Sequence, residues 1–175
     1  MRKFIARCAA AALVLSVAAC SSMQVKKDAI PPRYTTVLVK PLTFNDIFLQ
    51  KVSGNEQEEF EHAKPALAKA FNESFSQALP GSGSARRLLF EGTPDQATIV
   101  LEAKVSLLDP GIKRVLRGRG VAVCSLIDGG TGRLLGSFTV TPEVNRPDWQ
   151  SASEVIEALV RSMGAGAAAQ MAQAR

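Results

Sequence analysis

A chain of 175 residues, 46% apolar, holds enough material for one packed core and a tail, and not for several domains. Its net charge of +5 comes from 21 Lys and Arg against 16 Asp and Glu, a modest surplus that gives no warrant for a nucleic-acid partner, which would normally show a concentrated basic face.

At the start of the chain Arg2, Lys3 and Arg7 precede an apolar run from Ala9 to Val17, and Leu15-Ser16-Val17-Ala18-Ala19-Cys20 then leads small residues into a cysteine. A membrane-spanning helix needs about 20 apolar residues, whereas the core of a secretion signal needs roughly 7–15. The run here is of the second kind and carries Ser16. This stretch resembles the lipobox of bacterial lipoproteins. The resemblance implies cleavage before Cys20, a diacylglycerol thioether on its sulfur, and acylation of the new amino terminus with a chain such as palmitate. Residues 1–19 are then a signal peptide; losing them, with Arg2, Lys3 and Arg7, leaves 156 residues and lowers the charge from +5 to +2. Residues 20–33, polar and closed by Pro31-Pro32, read as a lipidated tether, and 34–175 as a single periplasmic domain. Ser21, where an aspartate would imply the inner membrane, favours the outer membrane on the same resemblance. Cys8 leaves with the signal. Cys124 is left without a disulfide partner and, among Val121, Val123, Leu126 and Ile127, is expected to be a buried, inert thiol.

Thr35 to Lys40 is rich in β-branched residues and closed by Pro41, which predicts a strand over 35–40. Residues 42–56 read as a loop that packs Phe44, Ile47, Phe48 and Leu49 onto the domain. From 57 to 79, Phe60, Ala63, Leu67, Phe71, Phe75 and Ala78 recur at helical spacing. Pro65 either kinks this helix or marks its first turn, so the helix proper is expected near 65–79. Glu56, Glu58, Glu59 and Glu61 suit the positive end of a helix dipole. His62, the one histidine, has only Glu58 at i, i+4 spacing on its helical face, and adjacent Glu61 points away, so a solvated position is expected rather than a metal or catalytic role.

Arg86 to Glu91 reads as a short strand. Residues 97–108 alternate Ile99, Leu101, Ala103, Val105 and Leu107 with Glu102, Lys104 and Ser106, a strand pattern. Strands over 118–128 and 133–141 follow, divided by Asp128-Gly129-Gly130-Thr131-Gly132, so 97–140 predicts a three-stranded antiparallel meander. A strand ending in Asp109-Pro110-Gly111, the basic segment through Arg117-Gly118-Arg119-Gly120, and a strand closing on Asp128 with Thr131-Gly132 and Leu135 resemble the bacterial lipoprotein family called domain of unknown function 4410. The resemblance covers roughly 35–141 and implies no catalytic residues. Ser151-Ala152-Ser153-Glu154 has capping-box spacing ahead of the apolar stripe Val155, Ile156, Leu159, Val160 and Met163, which predicts a second helix over 151–166. Gly164 and Gly166 weaken its end, and the alanine-rich remainder is expected to fray. The fold class is thus α+β: an antiparallel sheet of 35–40, 97–108, 118–128 and 133–141, packed by two helices.

The chain lacks a Gly-x-Ser-x-Gly elbow, and its glycine clusters lack the remainder of a phosphate-loop or dinucleotide fingerprint, so no cofactor and no metal is expected. One patch remains. Lys113, Arg114, Arg117 and Arg119 form a basic segment whose arginine forks suit phosphate or carboxylate, making anionic lipid headgroups or an envelope protein the candidate partners. A solvated hairpin loop is the competing reading. The expected function is a non-enzymatic, outer-membrane lipoprotein acting in binding or assembly; the rival is a periplasmic envelope enzyme such as a hydrolase.

Overall fold

The computed structural model describes residues 30–31, 33–81 and 86–173. In chain order its elements are β1 (Thr36–Val39), β2 (Phe48–Leu49), α1 (Gly54–Gly81), β3 (Arg87–Leu89), β4 (Thr98–Asp109), β5 (Gly118–Asp128), β6 (Leu134–Val140), β7 (Glu143–Val144) and α2 (Ala152–Gln173). The expected signal peptide, Cys20 and most of the tether lie outside the described residues.

Alternation decides the centre of the domain. β4, β5 and β6 form the antiparallel meander that the period-two pattern predicts. Ile99, Leu101, Ala103 and Val105 of β4, Ala122, Cys124 and Leu126 of β5, and Phe138 and Val140 of β6 are buried in one core, while Glu102 and Lys104 stay exposed. β1 lies beside β4 and β3 beside β1, both in parallel, giving the order β3-β1-β4-β5-β6. The direction follows from the connection: the chain leaves the end of β1, crosses through α1, and re-enters the sheet at the end where β1 began. β2 adds two parallel pairs near the end of β4, and β7 adds two antiparallel pairs at the start of β5. The result is an α+β fold on an open, seven-stranded, mixed sheet that is mostly antiparallel.

Both helices depart from their expected bounds for physical reasons. α1 begins at Gly54, well before Pro65, because Ser53 and Glu56 form a capping box: the Glu56 N–H donates to Ser53 Oγ (3.4 Å), and the Ser53 N–H donates to Glu56 Oε2 (2.8 Å). Pro65 neither starts nor ends this helix. Pro65 and Glu61 are both exposed, so water can take the place of the hydrogen bond that proline cannot give to the Glu61 carbonyl. α2 starts at the predicted cap, where the Glu154 N–H donates to Ser151 Oγ (3.2 Å) and the Ser151 N–H to Glu154 Oε2 (2.7 Å).

The end of α2 does not fray but continues to Gln173, with Ala167, Ala168 and Met171 wholly buried. Gly164 explains this. A Cβ there would lie 2.4 Å from the carbonyl oxygen of Phe71, so the backbones of α1 and α2 come into direct contact at this point. Burial of the alanine face against α1 outweighs the roughly 1 kcal/mol propensity penalty of the glycine. α2 lies on the meander, and α1 lies on α2. Phe44 closes the core edge-on against Phe60, with ring centroids 5.6 Å apart. Ile30, on the tether side of the expected boundary, is already part of this core. No described helix is long and apolar enough to cross a membrane.

Candidate functional site

The basic segment singled out by the sequence sits at the tip of the β4–β5 connection, and its backbone is tightly built. Asp109, at the end of β4, accepts from the Gly111 N–H (2.8 Å) and from Lys51 Nζ (2.5 Å). Gly111 has a φ of 71°, and a Cβ on it would lie 2.3 Å from the carbonyl oxygen of Leu116, so only glycine closes this turn. Ile112 and Leu116 then exchange both backbone hydrogen bonds, at 3.0 and 2.9 Å, forming a miniature hairpin with Lys113, Arg114 and Val115 at its apex.

A second loop braces the tip. The Arg114 N–H donates to the carbonyl of Arg146 (2.9 Å), and Arg146 Nη1 donates to the carbonyl of Gly111 (3.0 Å). Arg114 pairs with Asp148, and Arg117 lies 3.6 Å from Glu143. Such exposed pairs contribute little stability and are open to exchange. Lys113 and Arg119 have no ion-pair partner among the described residues. Against Lys113, Arg114, Arg117, Arg119 and Arg146 stand the ion-pair partners Glu143 and Asp148 and, near Arg146, Glu56, which leaves a positive surplus.

The sequence reading missed the apolar half of this site. Ile112, Val115, Leu116 and Trp149 are 44%, 73%, 47% and 77% exposed, and they make up four of the eight large apolar side chains left in water among the described residues. Trp149 follows Asp148, so the pairing of Asp148 with Arg114 brings the indole to the same end of the molecule as Val115. The available signal was the interleaving of Ile112, Val115 and Leu116 with arginines inside a turn, where no core can claim them.

Elsewhere, the groups that could do chemistry are sealed in the core, exposed to solvent or tied into the fold. Cys124 is fully buried, and burial pushes its thiol up to about 12, which makes it a poor nucleophile. His62 is exposed on α1. The hydrogen bond from Tyr34, with smaller help from the Gly130 and Thr131 N–H groups and the charge of Arg33, holds the Asp128 carboxyl below the usual carboxylate range against its burial. That carboxylate anchors the β5–β6 turn. A cavity between the first turns of the helices, lined by Phe60, Ala63, Leu67, Ala152 and Ile156, measures about 30 Å³, room for roughly one water molecule. No group of three or more His, Cys, Asp or Glu among the described residues is placed to hold a metal ion.

No protein-family model matches the chain, and no curated protein does. The resemblance to family 4410 is therefore carried by its motifs alone. Among solved structures, the chain is similar to the PelC dodecamer from Paraburkholderia phytofirmans at 15% identity, covering 84% of this chain and 92% of that one, with a TM-score of 0.43. A Xanthomonas campestris protein of the family model domain of unknown function 330 is 15% identical over 83% of this chain and 85% of its own, with a TM-score of 0.49. Likenesses of this size carry nothing about activity, assembly or partners.

Proposed function

We propose that the protein is a lipid-anchored component of the bacterial envelope that binds rather than catalyses, with the braced tip of residues 110–119 and 143–149 as its binding element. The observation that carries this reading is the concentration of basic and large apolar side chains on one exposed, rigidly built tip. The lipobox-like run ending at Cys20 supports the anchor, and Ser21 supports the outer membrane with the domain in the periplasm. An envelope hydrolase would need an acid–base pair in a cleft; His62 is exposed on α1, Cys124 is sealed in the core, and Asp128 is occupied by the fold.

A photo-crosslinking residue at position 115, in the full chain within its native envelope, tests the proposal. Adducts to an envelope component are expected from position 115 and not from His62, which is exposed but distant in the chain. Equal or no adducts from the two positions would overturn it.

A further inference from the structure

We infer that the tip docks on the surface of a bilayer bearing anionic headgroups, seating Trp149 and Val115 at the interface. This rests on the tip being the binding element and names its partner. The tip's composition in space suits a bilayer surface. Tryptophan favours the headgroup level of a bilayer, where its ring is apolar and its N–H stays wet. Lysine and arginine beside it keep their charges among the headgroups while their stems lie against acyl chains. Exposed Val115 lies between Lys113, Arg114 and Arg117, and exposed Trp149 follows Asp148, the ion-pair partner of Arg114, which brings that combination to one end of the described surface.

The rigidity of the tip favours docking as well. A loop that exposes Val115 at 73% would ordinarily collapse onto its own neighbours. Here the Ile112–Leu116 hydrogen-bond pair and the brace from Arg146 hold the apolar side chains outward, so the ordering entropy of docking is met before contact.

Charge completes the match. Arg114, Arg117 and Arg146 line one shallow cleft beside Leu116, and Arg146 Nε is buried there with no hydrogen-bond partner. Arginine forks match the oxygens of a phosphodiester, and the exposed pairs with Asp148 and Glu143 are weak enough to yield to one. A headgroup phosphate in this cleft would place acyl chains against Leu116 and Val115.

Trp149 is the sole tryptophan of the chain, so its emission reports on the tip alone. The full chain is reconstituted into phosphatidylcholine vesicles with or without phosphatidylglycerol. Phosphatidylglycerol should shift Trp149 emission to shorter wavelength and make it quenchable by brominated acyl chains. Replacing Lys113, Arg114, Arg117 and Arg119 with serine should abolish both effects, each charge removed weakening tip association by about fivefold. Val115→Ser, which alters no charge, should reduce quenching while leaving the dependence on phosphatidylglycerol. Equal emission and quenching with and without phosphatidylglycerol would overturn the inference. If position 115 nevertheless crosslinks a protein in the native envelope, the binding reading stands and only the bilayer falls. If it crosslinks nothing and Trp149 is unquenched, both fall.

Discussion

Tyr34 Oη donates a 2.8 Å hydrogen bond to Asp128 Oδ2, joining the start of the domain to the end of β5 across 94 positions. Arg33 tightens the joint: its Nη2 lies 2.8 Å from Tyr34 Oη and 3.2 Å from Asp128 Oδ2, and its guanidinium stacks 4.8 Å from the centre of the Tyr34 ring. The chain arriving from the tether is therefore clamped to the end of the sheet opposite the tip. Because Asp128 is held below its ordinary range chiefly by this hydroxyl, the joint stabilises the fold above the carboxyl's unfolded pKa, near 4, and loses its effect as pH falls through the lower folded value. Tyr34→Phe should lower the urea midpoint at neutral pH, and its difference from the parent should narrow below about pH 4. Urea melts at stepped pH check this; a gap that stays constant down to acid pH would show that the charge on Asp128 is not what the hydroxyl serves.

Gly164→Ala sets two effects of opposite sign against each other. Alanine gains about 1 kcal/mol of helix propensity, but its methyl would meet the Phe71 carbonyl oxygen at 2.4 Å, a backbone atom that moves only if the helices part. Overpacking of this kind costs about 1–3 kcal/mol, so a net loss of about 0–2 kcal/mol is expected from chemical denaturation. Gly166→Ala, which meets only the Val140 side chain at 2.6 Å, should cost less. A stabilised Gly164→Ala protein would mean that the helices do not approach this closely.

Cys124 offers a check on the core that needs no assay of function. With its thiol pushed up to about 12 by burial, alkylation at about pH 8 should spare it until denaturant is added. Peptide mass mapping reads this site separately from the other cysteines. Cys124→Ser, which places a hydroxyl among Ala103, Ala122 and Phe138, should cost about 1–3 kcal/mol.

These tests bear on features of unequal visibility in the sequence. The meander was legible because period two in 97–108 survives any tertiary context that buries one face, and the cap at Ser151 because Glu154 stands three residues on. The same box at Ser53 and Glu56 is obscured in the sequence by Pro65, which points to a break, and nothing local shows that its outer face is wet. The parallel entry of β1 was not legible at all: Thr36–Val39 has the same composition whichever way its neighbour runs, and only the crossover through α1 decides. At Gly164, propensity alone points to a weak helix end, while the partner backbone that reverses this lies some ninety residues away. The four basic residues of the tip were legible as charges. Their apolar companions were not, because exposure of Ile112, Val115 and Leu116 is a property of the turn that Gly111 closes.

On the proposed reading, the ends of the sheet at Arg33 and at the tip constrain how the domain would sit on a membrane. β5 runs from Gly118 at the tip to Asp128 beside Arg33, about 33 Å at roughly 3.3 Å per residue step. Residues 20–29, fully drawn out, span at most about 36 Å. If lipid on Cys20 and the tip occupy one membrane with the sheet upright, the tether has almost no slack. Deleting residues 22–26 should then abolish quenching of Trp149 by brominated lipid, while palmitate labelling of Cys20 and retention in the membrane persist; a Gly-Ser replacement of the same length should restore the quenching. Cys20→Ser should remove the label. Quenching that survives the deletion would instead require the long axis of the sheet to lie along the membrane plane, with the tether entry and the tip resting on it together.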